Sequence, residues 1–409
     1  TWGWYQDAGD WDGYFSHMHI PTILMLGWEI KPENFRDGDL DIPESGNEIP
    51  DILDEAMWGL DLYKRTQGVY EEGGVSWWVE SIEHPRGGEC SWLNSLPTAL
   101  VPPTPRACLT YAACAAQMSV AVKKYNSGLA AEYLESALAA MKWVDKNPNT
   151  PDVFGRNNAE TTKAMALVNL YRATGDTKWA EKLNNIIAKV YPKGIIESVN
   201  TSNAEVLLNY LLIEDFNTDE KLIDESKKAM IRLANELING AEENTYYIFR
   251  TKKQPLVRMV LPARTILPVT AAHFITNDKK YSDALCKTIQ YTMGANPMNR
   301  SYVSGLGERW FIPYQLDFDV TDEPAPSGIP NFGPITQTED RWGWTGKWAI
   351  DMVEEHGLYP NKLLDWPFAE KCFNNCWIAP INEFTERHPM GELIMLTGYL
   401  AQISYTSNY

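Results

Sequence analysis

Apolar residues recur every three to four positions over most of this chain, the spacing of helices with one buried face. From Ile49 to Gln67 that spacing runs through Ile52, Leu53, Ala56, Leu60 and Tyr63, with Pro50 near the helix start, where a missing N–H is no loss. Thr104 to Lys123 opens on Pro105 and carries a face of Tyr111, Ala112, Ala115, Ala116 and Val120, small enough for close helix approach. Leu129 to Asn147 follows in the same style. Further helical patterns cover Asn158 to Thr174, Lys178 to Val190, Ala204 to Ile213, Asp219 to Asn239, Pro262 to Asn277, Lys279 to Met293 and Met390 to Ser404. They predict an all-α architecture. No fixed-period repeat is present, which favours a closed helical barrel or toroid over a solenoid. Three loop-rich regions separate the helices: Gly68 to Pro105, Gly294 to Lys347 and Leu358 to Thr385. Long ordered loops in a compact domain are usually functional, and these are expected to share one face as a cleft.

Composition narrows the partners. With 409 residues, 44% hydrophobic and 22% charged, the chain is long enough to bury a large core. Its 54 Asp and Glu against 36 Lys and Arg give a formal net charge of −18, which disfavours nucleic acid and anionic membranes. No apolar run is long enough to span a bilayer, and the chain opens inside a motif, as expected of a processed or truncated product. The six cysteines, Cys90, Cys108, Cys114, Cys286, Cys372 and Cys376, are too scattered for a disulfide framework. Cys372 and Cys376 fit one helical face and read as buried thiols. The 16 Trp and 20 Tyr matter more, because aromatic faces stack on sugars as well as filling cores.

Candidate chemistry gathers in few places. Trp2-Gly-Trp-Tyr-Gln-Asp-Ala-Gly-Asp10 puts Asp7 and Asp10 in one small turn beside Trp4 and Tyr5. Two carboxylates so close repel each other or share one water, a base-like arrangement, although Asp and Gly also favour such turns for backbone reasons. Near the other end, Glu383 follows Trp377 and precedes Phe384; a carboxylic acid in such apolar surroundings is a candidate proton donor. A helix-entry Glu is the plainer reading. The loop Gly294 to Glu308 presents Arg300, Ser301 and Tyr302 as donors for hydroxyl groups and lacks the Lys-Ser/Thr ending of a phosphate loop. Pro43 to Glu55 is dense in carboxylates, with helix capping and a solvated face outweighing a Ca²⁺ site.

Four of these segments together resemble the catalytic domain of glycoside hydrolase family 9, the family of many cellulases: Gly3-Trp-Tyr-Gln-Asp-Ala-Gly-Asp10, Pro43 to Ala56 with Trp58-Gly-Leu-Asp61, Asn296 to Gly307, and Asn382-Glu383. They occur in the family's order and span almost the whole chain. The resemblance implies an (α/α)6 barrel over 1–409, in agreement with the helical periodicity. It implies Asp10 as catalytic base, Asp7 as a second holder of the water and Glu383 as general acid. That pairing gives an inverting hydrolysis, for which Asp10 and Glu383 should stand ~6.5–9.5 Å apart.

The chain also departs from the family. Many members carry a His-rich segment with an Arg after the Tyr-Val-x-Gly-x-Gly motif; here Glu308 to Asp319 contains no His. Sugar contacts are therefore expected from Arg300, Tyr302, Arg309, Trp310 and Tyr314, together with Gln315, Trp4, Tyr5, Trp92 and Trp377. Trp77, Trp78, Trp342 and Trp344 are further aromatic candidates along the groove, with core packing as the alternative for each, as for Trp92 and Trp310. Only six residues precede Asp7, so a first N-terminal segment is expected to be lacking, and an immunoglobulin-like module outside this chain is a further expectation. No cofactor is required. Zinc is not expected, since no Cys-His pair follows Cys90; Asp317, Asp319, Asp322 and Glu323 are spaced for a structural calcium, with a solvated turn the weightier reading. The expected activity is endo-cleavage of a β-1,4-glucan such as cellulose, a soluble β-glucan or xyloglucan, by an enzyme that is secreted, periplasmic or on the cell surface. The alternatives are an exo-acting β-glucosidase or glucosaminidase on the same barrel, and a non-catalytic carbohydrate-binding toroid.

Overall fold

A computed structural model describes residues 3, 5, 13–82, 95–153, 159–250, 264–313, 326–331, 333, 355 and 389–401. Within them the helices are α1 (His19–Ile30), α2 (Asp51–Thr66), α3 (Pro105–Val122), α4 (Ser127–Lys146), α5 (Glu160–Thr174), α6 (Thr177–Val190), α7 (Ile195–Ser198), α8 (Ala204–Leu211), α9 (Glu220–Glu242), α10 (Ile266–Thr276), α11 (Lys279–Thr292) and α12 (Pro389–Leu400). Start signals are local. Asn126, Asp176, Asp219 and Asp278 each accept a backbone N–H from the first turn of the helix that follows. Thr104 caps α3, with Pro105 at its first position.

Six helices form an inner ring, α1 against α3, α3 against α5, α5 against α8, α8 against α10, α10 against α12, and α12 back against α1. Helices α2, α4, α6, α9 and α11 pack outside it. This is the (α/α)6 barrel. The two layers differ in sequence for a physical reason: an outer helix keeps one wet face, whereas an inner helix is covered all round. Every residue of α1 except Glu29 is buried, and this short, almost unbroken apolar run escapes the sequence reading. The inner helices run in one direction. Residues from the first turns of α1, α8, α10 and α12 meet at one end, through His19, Glu205, Ile266 and Glu392. At the other end His273 of α10 lies 2.6 Å from the Tyr399 hydroxyl of α12.

A small antiparallel sheet, β1 (Gly13–Tyr14), β2 (Trp78–Ser81) and β3 (Thr98–Val101), sits where the chain enters α1 and α3. It is the one sheet among the described residues, and the all-α reading leaves it out. Tyr14 lies opposite Trp78, with ring centroids 4.2 Å apart.

One buried polar network ties the inner ring together. Arg172 of α5 pairs with Glu29 of α1 and donates to Asn169 (3.1 Å) and to Asn209 of α8 (2.8 Å). Gln117 of α3 donates to the other Glu29 oxygen at 3.0 Å. Cys108 and Cys114 are buried free thiols, each pushed up to about 12 by burial, while Cys286 is exposed on α11. No described helix is long and apolar enough to cross a membrane. Replacing Arg172 by Met strands the Glu29 charge in the core, so Arg172→Met should lose about 3–5 kcal/mol of unfolding free energy in a denaturant titration. A loss below ~1 kcal/mol would remove the network from the account of ring stability.

Candidate active-site face

The first turns of the inner helices form one face, and in sequence the Asp10 and Glu383 segments precede the first turns of α1 and α12. The Asp7 and Asp10 turn lies outside the described residues, but both of its flanks are fixed. On one side Tyr5 lies over α2, its hydroxyl donating to the Glu55 carbonyl (2.8 Å) and sharing a hydrogen bond with the Glu55 carboxylate (3.1 Å). Burial and Glu55 raise the Tyr5 hydroxyl well above its ordinary value, so it stays a donor. The Tyr5 carbonyl meets His17 Nδ1 at 2.7 Å. This seat needs Gly59: a Cβ there would lie 2.1 Å from the Tyr5 ring. The Trp58-Gly-Leu-Asp61 segment thus works as a docking groove for the chain entering the carboxylate turn. On the other side Gly13 and Tyr14 pair with β2.

The second dense acidic segment proves structural. Asp51 accepts from the backbone N–H groups of Gly38 (3.1 Å) and Leu40 (2.5 Å), and Asp37 from those of Gly46 (2.5 Å) and Glu48 (2.7 Å). These carboxylates brace the 37–51 loop ahead of α2, whose start at Pro50 has no side-chain cap, so the expected capping role is replaced by a loop-bracing one. Among the described residues no group of three His, Cys, Asp or Glu is placed to hold a metal. The calcium candidates Asp317, Asp319, Asp322 and Glu323 lie outside the described residues.

After α11 the chain turns at Asn296, whose amide donates to the Tyr291 (2.9 Å) and Arg300 (2.7 Å) carbonyls. Ser301 then bridges to Trp310, its N–H donating to the Arg309 carbonyl (2.8 Å) and its carbonyl accepting from Phe311 (2.9 Å). This pins an open hollow of about 270 Å³ lined by Arg300, Glu308, Arg309, Trp310 and Ile312. Trp310 is 37% exposed there, and Glu308 and Arg309 are exposed beside it. Three of the expected sugar contacts, Arg300, Arg309 and Trp310, therefore share one open surface with an aromatic face and charged donors. Tyr302 does not join them. It is fully buried and stacks with Tyr291 (5.7 Å) and Phe311 (4.8 Å), so it supports the loop from beneath and offers no face to a sugar. Trp77 takes the core alternative: at 2% exposed it packs against Phe15 and Tyr14. Trp78 is half-buried. Trp4, Asp7, Asp10, Trp92, Tyr314, Gln315, Trp342, Trp344, Trp377 and Glu383 all lie outside the described residues, and so does the expected Asp10–Glu383 separation.

One group on this face was invisible to sequence reading. His19 Nδ1 stands 3.2 Å from Glu205 Oε1, an ion pair when the imidazole is protonated. Burial alone would raise Glu205, but His19 and Arg264 outweigh it and hold the carboxyl at about 2. Glu392, in the first turn of α12, is pushed the other way, up to about 8, chiefly by burial, although it accepts the Ile266 N–H at 3.0 Å. Arg264 enters this cluster with a φ of 62°, a left-handed backbone unusual for a side-chain-bearing residue and common near functional sites. Positions 19, 205, 264 and 392 are scattered along the chain, and only the backbone anomaly at Arg264 marks the spot locally.

Comparison with known proteins fits this geometry. The profile of glycosyl hydrolase family 9 matches residues 1–315. Endoglucanase C of Cellulomonas fimi is 25% identical over 413 aligned residues, covering 91% of this chain and 36% of that protein. A cellulose 1,4-beta-cellobiosidase of Acetivibrio thermocellus is 24% identical, covering 83% of this chain and 44% of that protein. The chain thus spans less than half the length of these two relatives. The crystal structure of a metagenome-derived family 9 endoglucanase superposes with a TM-score of 0.81 over 98% of this chain and 71% of the other, at 19% identity, a likeness of fold.

Two measurements check this face. Gly59→Ala forces the Tyr5 ring off α2, so turnover should fall at least tenfold while helical circular dichroism stays unchanged; wild-type turnover would detach Tyr5 from the placement of the turn. The second reads stability against pH. An unfolded Glu392 ionises near 4.5 and the folded one only near 8, so between these values the unfolded chain has lost a proton the folded chain keeps. This group should lower stability by about 1.4 kcal/mol per pH unit as pH rises through that window. Glu205 works in the opposite sense, its contribution fading as pH falls from 4.5 toward 2. Glu392→Gln should therefore raise the melting temperature at pH 8, leave it unchanged near pH 4.5 and flatten the profile between.

Proposed function

Because this chain belongs to glycosyl hydrolase family 9, we propose that it hydrolyses β-1,4-glucosidic bonds of a glucan by inversion, with Asp10 as base, Asp7 holding the water and Glu383 as acid. The observation that carries the reading is the closure of the inner ring by α12 on α1. Helix α1 begins nine residues after Asp10 and α12 six residues after Glu383, so the two carboxylate segments lead into neighbouring helices. At roughly 3.3–3.6 Å per extended residue, a six-residue lead keeps Glu383 within about 20 Å of that seam.

The chemistry follows from those roles. Glu383, protonated at the working pH, gives its proton to the leaving glycosidic oxygen as the bond to the anomeric carbon lengthens. Asp10 takes a proton from a water on the opposite ring face, Asp7 accepts that water's other hydrogen, and the oxygen attacks the anomeric carbon. Arg300, Arg309 and Trp310 would serve the flanking sugars, with Arg donors for hydroxyls and an indole face for the ring. The substrate is a β-glucan such as cellulose, a soluble mixed glucan or xyloglucan. A polymer that cannot enter a cell places such an enzyme outside the cytoplasm, in the periplasm or at the cell surface.

Glu383→Gln and Asp10→Asn should each lower kcat on a soluble β-glucan by about 10²–10⁴-fold while leaving oligosaccharide binding within a few-fold of wild type. Undiminished turnover in either variant removes that residue from its role. The product profile on a long glucan then separates endo action, with mixed oligomers from the start, from an exo pattern of single short products.

A further inference from the structure

The charged cluster at the active-site face takes no step in the hydrolysis. His19 opens α1, Glu205 is the second residue of α8, Arg264 stands two before α10 and Glu392 is the fourth residue of α12. In the inner ring α8 lies three helices from α1 in either direction, so the 3.2 Å approach of His19 Nδ1 to Glu205 Oε1 crosses the lumen. Both side chains are buried or nearly so, at 4% and 11% exposed. Apolar side chains of similar volume often fill such a space as stably, so what a buried ion pair adds is a fixed distance between the walls it joins. Glu392 meanwhile accepts the Ile266 N–H at 3.0 Å, and the Arg264 charge acts on both Glu205 and Glu392. Four of the six inner helices, α1, α8, α10 and α12, are thus referred to one group of side chains.

Two of those helices follow the candidate carboxylates. His19 lies nine residues after Asp10, and Glu392 nine after Glu383. The path into α1 is held: β1 pairs with β2, the Phe15 N–H donates to the Trp77 carbonyl at 3.1 Å, and Phe15–Met18 forms one 3-10 turn that ends at His19. Asp10 comes three residues before Gly13, which chain length alone keeps within about 11 Å. An inverting pair must stand ~6.5–9.5 Å apart, and a misplacement of ~1 Å can cost ~10²-fold in rate. A brace on the first turns of α1 and α12 therefore bears on turnover more than on stability.

We propose, resting on the hydrolytic reading above, that Glu205 is a positioning residue: it clasps His19 across the lumen so that the first turns of α1 and α12 keep the spacing their carboxylate segments need. Steady-state kinetics of the whole chain on a soluble β-1,4-glucan test it, with calorimetric oligosaccharide binding, at a temperature where each variant keeps the wild-type circular dichroism. Glu205→Gln should lower kcat about ten- to hundredfold, with KM and oligosaccharide Kd within a few-fold of wild type. Its binding stoichiometry should stay unchanged, which a partly unfolded sample would not show. His19→Gln should lose as much, and the double variant little more than either single one, because the two side chains act as one clasp. Should Glu205→Gln fail to fold, His19→Gln decides alone, since Glu205 there keeps Arg264 beside it. Wild-type kcat in either single variant overturns the proposal, as do single losses that multiply in the double variant. Glu383→Gln in the same assay separates the two levels. Where it loses turnover, such results overturn the clasp alone; where it keeps turnover, the acid assignment falls and the clasp with it.

Discussion

The seam between α1 and α12 is the constraint on which the rest of the structure depends. A ring of six inner helices becomes a barrel only where its last member meets its first, and here those members come from the two ends of the chain. Small residues make the approach possible. A Cβ on Gly27 would stand 3.2 Å from the Met395 side chain, so α12 lies close against α1 at that level. Asn34, just past α1, donates its amide to the Gly398 carbonyl at 2.7 Å. With the seam closed, the chain segments that precede α1 and α12 lead into neighbouring helices.

The barrel divides its polar groups between two ends. At the end where the inner helices begin, buried carboxylates are held in opposite states, Glu205 charged beside His19 and Glu392 pushed up by burial. At the other end Glu29 and Arg172 neutralise each other and fix four inner helices relative to one another. A buried pair of this kind contributes little net stability, but losing one partner is costly, so it acts chiefly to exclude other registers of packing. The long loops are thereby free to serve chemistry, because the helices beneath them are held without their help.

Much of this was legible in the sequence, and what was missed has particular causes. The outer helices and most inner ones announce themselves through periodicity and through Pro50 and Pro105 at two helix starts, and their observed ends fall within a few residues of the expected ones. Helix α1 was missed because a short, almost unbroken apolar run does not by itself distinguish a buried helix from a buried strand. The acidic stretch before α2 was expected to cap the helix or face solvent, whereas Asp51 is buried and spent on the loop N–H groups of Gly38 and Leu40, a long-range contact that no local spacing reveals. Tyr302 was misjudged because a Tyr in a loop rich in Gly and Ser looks available, and only the stacked rings of Tyr291 and Phe311 show otherwise. The cluster of His19, Glu205, Arg264 and Glu392 has no sequence spacing at all, since it arises from four elements meeting in space.

The central claim is that ring closure unites carboxylates from the two chain ends into a single inverting site. Its most direct test is the anomeric configuration of the first product, followed by proton magnetic resonance while a soluble β-1,4-glucan is hydrolysed and before mutarotation sets in. The account predicts that the α-anomer appears first and relaxes toward the equilibrium mixture. A β-anomer as the first product would mean retention through a covalent intermediate, and would contradict the assignment of Asp10 to water activation opposite Glu383.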